Sequence, residues 1–419
     1  MRTLAFGAIA DDITGASDLA NTLVRGGLPT VLAIGVPETE KLDGGGVVIA
    51  LKTRTIPPEE AVSQSLAAWR WLAKHGAHAV MVKYCSTFDS TAQGNIGPVT
   101  DAVLDASGGK LSVVCPAFPT NKRTIYKGRL FVGDVPLDES SMRDHPLTPM
   151  RDANLVRLMA AQTRHKVGLI AWETVVKGKD ALAAALDEAR AGGLRHMVVD
   201  AITDADLRVI AEAAWGRAML TGGSGIAIGV PALCREHGGE DVSPGFPQIV
   251  GPSFVIAGSC SAATMAQVST FQAAGGAAYQ IDAFQLAEDH EAVAKASAWV
   301  RDHLGERPIL VYSTASPDVL REVQGRLGQQ RAAALIEDAL AHITLAAVKA
   351  GARRLVVAGG ETSGAVMQAL RVRLLRIGPE IDPGVPWTAS LDAEPLALAL
   401  KSGNFGGPDF FSRAFEVLP

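Results

Sequence analysis

The chain has 419 residues, 48% of them apolar and 20% charged, with a formal net charge of −5. That balance supplies core for two or three domains and excludes global disorder. There is no basic block, no RNA-stacking aromatic signature and no apolar run near the ~20 residues of a membrane span, so neither nucleic acid nor a membrane is an expected partner.

The first predicted element is a strand over residues 4–10, an apolar run with no polar face, as a buried parallel strand requires. It stops at two adjacent carboxylates, Asp11 and Asp12. From Ala16 the apolar period turns helical, through Leu19, Ala20, Leu23 and Val24, until Gly26-Gly27 ends it. Either Asp12 or Thr14 can cap that helix. Two acids at the end of an apolar strand also suit a magnesium ion or a proton acceptor, because ligands gather at the carboxyl ends of strands in open α/β sheets.

Residues 30–36 and 47–51 read as the next strands, and Thr53 and Arg54 follow the second directly. A helix starts at Pro58-Glu59-Glu60 and runs to His75-Gly76. The strand at 79–84 carries Lys83 at its end and opens into a polar turn, residues 86–95, that includes Ser86, Asp89 and Asn95. Residues 111–115 form another strand, and 124–132 a hairpin around Lys127-Gly128. Residues 133–150 read as a polar loop. Helices at 152–162, 180–191 and 204–215 then alternate with strands at 167–171 and 197–199. Residues 220–225, LTGGSG, look like a glycine-rich turn at a domain seam, approaching a phosphate at most; GxGxxG is not satisfied. Residues 237–252, rich in glycine and proline without periodicity, read as a linker, with the domain boundary near residue 245.

The alternation restarts with strands at 254–258, 308–312, 355–358 and 396–400 and a long helix over 329–350. Three strand-end loops follow: Gly258-Ser259-Cys260-Ser261, the GGETSG run at 359–364, and the KSGNFGG run at 401–407. Glycines let backbone N–H groups approach an anion, Thr362 and Ser363 add hydroxyls, and a helix N-terminus adds partial positive charge. This is phosphate-cradle chemistry without a Walker A loop, since GxxxxGK[ST] occurs nowhere.

In the first half, the expected edge gathers Asp11 and Asp12, then Arg54, then Lys83, Ser86, Asp89 and Asn95. Arg54 and Lys83 suit a substrate carboxylate, and Ser, Asp and Asn suit hydroxyls. Taken singly, Arg54 reads as a surface ion pair and Lys83 as a snorkelling strand-end lysine; their convergence points to a small polyhydroxy acid. The expected fold is two three-layer α/β domains with mostly parallel sheets and an active-site cleft between them. Residues 1–245 would bind a sugar acid, and residues 246–419 a nucleotide. Phosphoryl transfer would then use Asp11 or Asp12 as proton acceptor, the other assisting magnesium or substrate. The four scattered cysteines show neither metal spacing nor a disulfide pattern, and the N-terminus enters a strand at once. Both features point to a cytoplasmic protein. Metal ligands and oligomeric state are not legible, which leaves a homo-oligomer open.

The chain also resembles the four-carbon acid sugar kinases over nearly its whole length. The likeness rests on ADDITGASDLA at 10–20, KYCSTFDSTAQGNIGP at 83–98, GGETSG at 359–364 and KSGNFG at 401–406. The second run is most similar to the 3-oxo-tetronate 4-kinase branch, which implies ATP-dependent phosphorylation of the 4-hydroxyl of a 3-oxo-tetronate. The resemblance implies substrate contacts at Asp11 or Asp12, Arg54, Lys83 and Ser86. It implies ATP contacts at Ser259, Gly360, Glu361, Thr362, Ser363 and Gly403. Two runs depart from the broader family, which reads DSTLRGN where this chain has Ala92-Gln93 before Gly94-Asn95, and GGDTS where it has Glu361. Other C4 aldonates such as D-threonate or D-erythronate, and a non-catalytic ATP and sugar-acid sensor, are the competing readings. A nicotinamide dehydrogenase lacks its fingerprint.

Overall fold

The computed structural model describes residues 4–38, 42, 45–145, 147–236, 245–289, 291–315 and 317–418. The chain divides into two compact units, Met1–Ser243 and Pro244–Pro419. Of the predicted linker at 237–252, residues 237–244 lie outside the described residues.

The N-terminal unit contains β1 (Phe6–Ala10), β2 (Thr30–Ile34), β3 (Gly46–Ala50), β4 (Ala79–Lys83), β5 (Ser112–Cys115), β6 (Arg123–Tyr126), β7 (Arg129–Val132), β8 (Val135–Pro136), β9 (Val167–Ile170), β10 (His196–Val199) and β11 (Met219–Gly222). Eight of them form a sheet in the order β2-β3-β1-β4-β11-β5-β10-β9. Every pairing within it is parallel. β1 and β3 are buried along their whole length, which is why FGAIA and GVVIA show no alternation. β6, β7 and β8 form a separate antiparallel sheet with the expected turn at Lys127-Gly128. The backbone N–H groups of Lys127, Gly128 and Trp172 all donate to the buried carboxylate of Asp200, which ties that hairpin to the end of β10.

The strand order has a mechanical consequence. From β1 the chain crosses to β2 and returns through β3; from β4 it departs towards β5 on the other side. The connections therefore diverge between β1 and β4, the topological switch point where open α/β sheets bind ligands. Asp11 and Lys83 lie at that point, joined by an Asp11 N–H to Lys83 C=O hydrogen bond of 3.1 Å.

The C-terminal unit contains β12 (Ser253–Ala257), β13 (Ala277–Gln280), β14 (Ile309–Tyr312), β15 (Arg354–Ala358), β16 (Leu374–Asp382), β17 (Val385–Ser390) and β18 (Ala397–Lys401). Their order is β13-β14-β12-β15-β18-β17-β16. The first five are parallel; β17 runs antiparallel to both β18 and β16. The opening four strands repeat the wiring of the first unit, out, back and across, so the second switch point lies between β12 and β15. The core on one face of this sheet centres on Trp387, fully buried, whose indole N–H donates to Ala414 C=O at 2.7 Å.

Both units are α/β with mostly parallel sheets, as the alternation predicts. Five strands were not legible, one of them the two-residue β8 inside the stretch 133–150 read as a loop. β11 was hidden in the LTGGSG run. It is a central strand, and its glycines serve close packing rather than a turn towards a phosphate: a Cβ on Gly222, Gly223 or Gly225 would fall 2.0, 2.7 or 2.5 Å from the carbonyls of Cys115, Pro116 and Ala117. β16 and β17 carry Pro379 and Pro386 and shift register between Ile377 and Asp382, which breaks the period-2 signal. β13 is only four residues and half-exposed.

Gly222 tests this packing. Its φ of +154° and the carbonyl 2.0 Å from its missing Cβ combine backbone strain with a backbone clash. Gly222→Ala should destabilise the N-terminal unit by about 3 kcal/mol. Gly108→Ala, at φ +71° but facing open space, should cost about 1 kcal/mol. Urea midpoints of the two variants measure the difference.

Candidate active site

The switch point of the N-terminal unit is built around one guanidinium. β3 leads through residues 51–53 to Arg54, and the N–H groups of Thr53 and Arg54 both donate to Asp11 C=O. That backbone pair brings Arg54 over the end of β1. Its Nε and Nη2 bind Asp11 Oδ2 and Oδ1 at 2.8 and 2.9 Å, a bidentate fork, while Nη2 also reaches Asp12 Oδ1 at 2.6 Å. Nη1 is turned to Asp89 Oδ2 at 3.8 Å.

Asp12 does two things at once. As N-cap of the helix Ile13–Arg25 it accepts from Gly15 N–H at 3.1 Å, and its other oxygen accepts from the Thr14 hydroxyl at 2.6 Å. Lys83 is 3% exposed. Its ammonium lies against Gly15, where a Cβ would sit 2.2 Å from Nζ and 2.4 Å from Asp12 Oδ1. Glycine at 15 is thus what admits the lysine to the acid pair.

The two neighbouring carboxyls titrate apart. Burial acts to raise Asp12, but Arg54, Lys83, the Thr14 hydroxyl and the Gly15 N–H together hold it down at about 2. For Asp11, burial prevails over Arg54, and the Asp12 charge adds to it, so its carboxyl is raised above the usual 3.8. Arg54 itself is held firmly charged: Asp11 and Asp12 overcome the cost of its burial.

The remaining predicted residues divide. Asp89 is 7% exposed, accepts from the Thr87 hydroxyl at 2.6 Å and faces Arg54. Its backbone and that of Phe88 are both left-handed, at φ +46° and +66°. Two consecutive non-glycine residues in this region store strain of the kind that gathers at functional loops. Phe88, fully buried edge-on against Tyr84, anchors the loop. Ser86 stands half-exposed beside Gly223. Asn95 does not present its amide nitrogen to a substrate hydroxyl as expected. Nδ2 donates to the carbonyls of Thr53 and Ile56 at 2.7 and 3.1 Å, so it braces the loop that carries Arg54. Behind Asp11 and Lys83 lies a cavity of about 20 Å³, lined also by Thr53, Ser65, Tyr84 and Asn95, with room for a single water.

In the C-terminal unit, the three glycine loops converge at the second switch point. A Cβ on Gly403 would lie 2.4 Å from Ser259 Oγ, and one on Gly258 would lie 2.2 Å from Thr362 Oγ1. Gly359, at φ +134°, opens the helix Gly360–Leu370 and would also meet Thr362. Thr362 and Ser363 are therefore turned inward. Ser363 is fully buried, and Ser363 Oγ has no hydrogen-bond partner among the described residues. The hydroxyls expected to face an anion are packed under the loop, and its outer surface is the backbone of residues 360–362 at the helix N-terminus. Glu361 is half-exposed there.

Three residues to which motif reading gave no role hold these loops, Lys401 at the head of the KSGNFGG run among them. Lys401, fully buried at the end of β18, donates to Thr264 Oγ1, Ser402 C=O and Gly403 C=O at 3.2, 3.0 and 3.0 Å. Gln267 Nε2 donates to the carbonyls of Phe405, Gly406 and Gly407, each at 3.0 Å. Thr264 Oγ1 donates to Gly403 C=O at 3.0 Å. Thr264 and Gln267 sit in the helix Ala262–Ala273 with no motif of their own; only the placement of Lys401 after an apolar strand could have flagged it.

Among the described residues, no three His, Cys, Asp or Glu side chains are grouped to hold a metal, and no helix is long and apolar enough to cross a membrane.

Residues 6–230 match the family model of a sugar-binding N-terminal domain, and residues 254–411 that of a nucleotide-binding C-terminal domain. The 3-oxo-tetronate kinase of Burkholderia multivorans is 52% identical over 98% of this chain and 97% of its own. The 3-oxo-tetronate kinase of Cupriavidus necator is 51% identical, over 98% and 96%. A crystal structure from Salmonella typhimurium LT2 superposes with a TM-score of 0.86 at 42% identity, covering 99% of each chain. With both domain models matched and half of its residues shared with such relatives end to end, the chain belongs to the four-carbon acid sugar kinase family.

Proposed function

We propose that this protein transfers the γ-phosphoryl group of ATP to the 4-hydroxyl of a 3-oxo-tetronate. What carries the reading is the Asp11–Asp12–Arg54–Lys83 cluster at the switch point of the sugar-binding unit, in a chain half identical to two 3-oxo-tetronate kinases. Phosphoryl transfer needs little covalent chemistry from a protein; it needs a positioned hydroxyl, an acceptor for its proton and compensation of charge.

The residues divide those tasks. Asp11, raised by burial, accepts the hydroxyl proton, because a base works best when its pKa is brought towards the working pH. Asp12 stays ionised and fixes Arg54 and the helix start. Arg54 Nη1 and the Lys83 ammonium receive the substrate carboxylate, and Ser86 and Asp89 receive its hydroxyls. Asn95 acts through the Arg54 loop. In the second unit, the backbone N–H groups at 360–362 and the loops at Ser259 and Gly403 hold the phosphates of ATP.

Magnesium fits this donor set. The ion needs only one or two carboxylates alongside phosphate oxygens and water, and Glu361 is the carboxylate at the phosphate loops. When bound it would neutralise phosphate charge. The acids at 11 and 12 are already matched to Arg54 and suit the ion less. Four free cysteines and the proposed use of ATP support a cytoplasmic location.

Two experiments test the roles. The acid limb of kcat/KM should report Asp11 and lie above pH 3.8, since activity falls as pH drops and the base is protonated. Asp12, held near 2, stays ionised through that window. Asp11→Asn should lower kcat by about 10²-fold or more and flatten the limb. Asp12→Asn preserves a good helix cap but deprives Arg54 and Lys83 of a buried counter-charge, so its loss of turnover should come with a lowered melting temperature. A limb that persists in Asp11→Asn moves the base elsewhere.

The second is ADP release from Mg·ATP across a panel of C4 acids. Release with 3-oxo-tetronates and at least ten times less with D-threonate and D-erythronate supports the proposed acceptor. Equal release with an aldonate reassigns it. ATP-dependent melting shifts with no ADP from any acid would indicate a sensor.

A further inference from the structure

We propose that Lys401, Thr264 and Ser261 form a clamp that aims the Asn404 backbone N–H outward as a donor to a phosphate oxygen of the nucleotide. The inference rests on the nucleotide reading of the second unit and names a positioning device within it.

The clamp closes on one atom. Gly403 C=O accepts from Ser261 Oγ at 2.5 Å, Thr264 Oγ1 at 3.0 Å and Lys401 Nζ at 3.0 Å. These donors come from the start of one helix and the end of β18, and Lys401 and Thr264 are both fully buried. Three donors on one carbonyl fix the plane of the peptide that joins residues 403 and 404. In a trans peptide the C=O and the following N–H point in opposite directions. With the carbonyl drawn inward to the ammonium, the Asn404 N–H faces away from the interior, at an exposed residue. The turn is closed by Phe405 N–H to Ser402 C=O at 3.2 Å, so the direction is not left to a flexible loop. Gly403 is glycine because a Cβ there would meet Ser259 Oγ at 2.4 Å and Ser261 Oγ at 3.2 Å.

A buried ammonium is a costly way to hold a loop, and a neutral side chain would do so more cheaply. Burial pushes Lys401 down to about 7, with Asp382 pulling it back. An amine balanced there is drawn to its charged form when an anion arrives at the loop it supports. That argues for a ligand-directed role over simple packing.

The test uses the full chain and ATP alone, by titration calorimetry, with steady-state KM values alongside. Lys401→Met and Thr264→Val should each weaken ATP binding at least tenfold, raise KM for ATP in parallel and leave KM for the sugar acid within twofold. Thr264→Ser keeps the hydroxyl and should bind ATP within twofold of wild type. Melting temperature checks the fold of each variant. Lys401→Met that is folded and binds ATP within threefold of wild type overturns the clamp. If that variant does not fold, Thr264→Val decides by the same criterion. Equal increases in both KM values also overturn it, since they indicate a general structural role. A wild-type chain that binds no ATP overturns the nucleotide reading and the clamp together, whereas wild-type binding with unimpaired variants overturns the clamp alone.

Discussion

The Arg54 guanidinium is the group on which the N-terminal site depends. Asp11, Asp12 and Asp89 meet at the end of a buried strand, and like charges in such a place cannot stand uncompensated. Removing one partner of a buried ion pair costs about 3–5 kcal/mol, and Arg54 answers three carboxylates at once. Its own placement is backbone work: two N–H groups on Asp11 C=O from inside, and the Asn95 amide on two carbonyls from outside. The electrostatics of the acids and the conformation of the 53–56 loop are therefore one property, set by residues from three strand ends.

The two units begin with the same wiring and fill their switch points with opposite chemistry. In the first, the strand ends carry side-chain charges, and glycine occurs where it admits one of them, as Gly15 admits Lys83. In the second, the strand ends carry glycines, and the buried side chains at 264, 267, 362 and 401 serve the backbone above them. The proposed ligands account for the difference. A small acid with few atoms must be read by discrete groups. Phosphates offer many equivalent oxygens, which suit rows of N–H donors that a side chain would obstruct.

That division also accounts for what the sequence made legible. Strand ends were visible because an apolar run that stops at Asp11-Asp12, or at Gly359-Gly360, is a local pattern. Both mostly parallel sheets follow from the same alternation. The direction of a side chain is not local. Thr362 and Ser363 read as anion-facing hydroxyls, and it is the proximity of Gly258 and Gly359 that shows Thr362 turned inward. Asn95 read as a hydroxyl ligand because nothing in its own segment reveals the carbonyls 39–42 residues away that it holds. Strands β11 and β17 failed for the converse reason: glycine and proline mark turns in isolation, whereas here they answer a neighbouring backbone and a register shift.

Asp11 and Asp12 show why paired motifs resist assignment from sequence. Identical side chains at adjacent positions acquire opposite tendencies: Arg54, Lys83 and the capping hydrogen bonds together hold Asp12 down, whereas burial, with the Asp12 charge added to it, raises Asp11. The cap gives Asp12 two short-range donors, the Gly15 N–H and the Thr14 hydroxyl, that Asp11 lacks. Each hydrogen bond favours the ionised form. Asp11 shares the burial and the guanidinium but lacks the cap and feels the Asp12 charge, and desolvation prevails there. Capping and catalysis stood as competing explanations of one acid in the sequence; in the folded unit Asp12 is the cap, and the proposed proton-accepting role falls to Asp11.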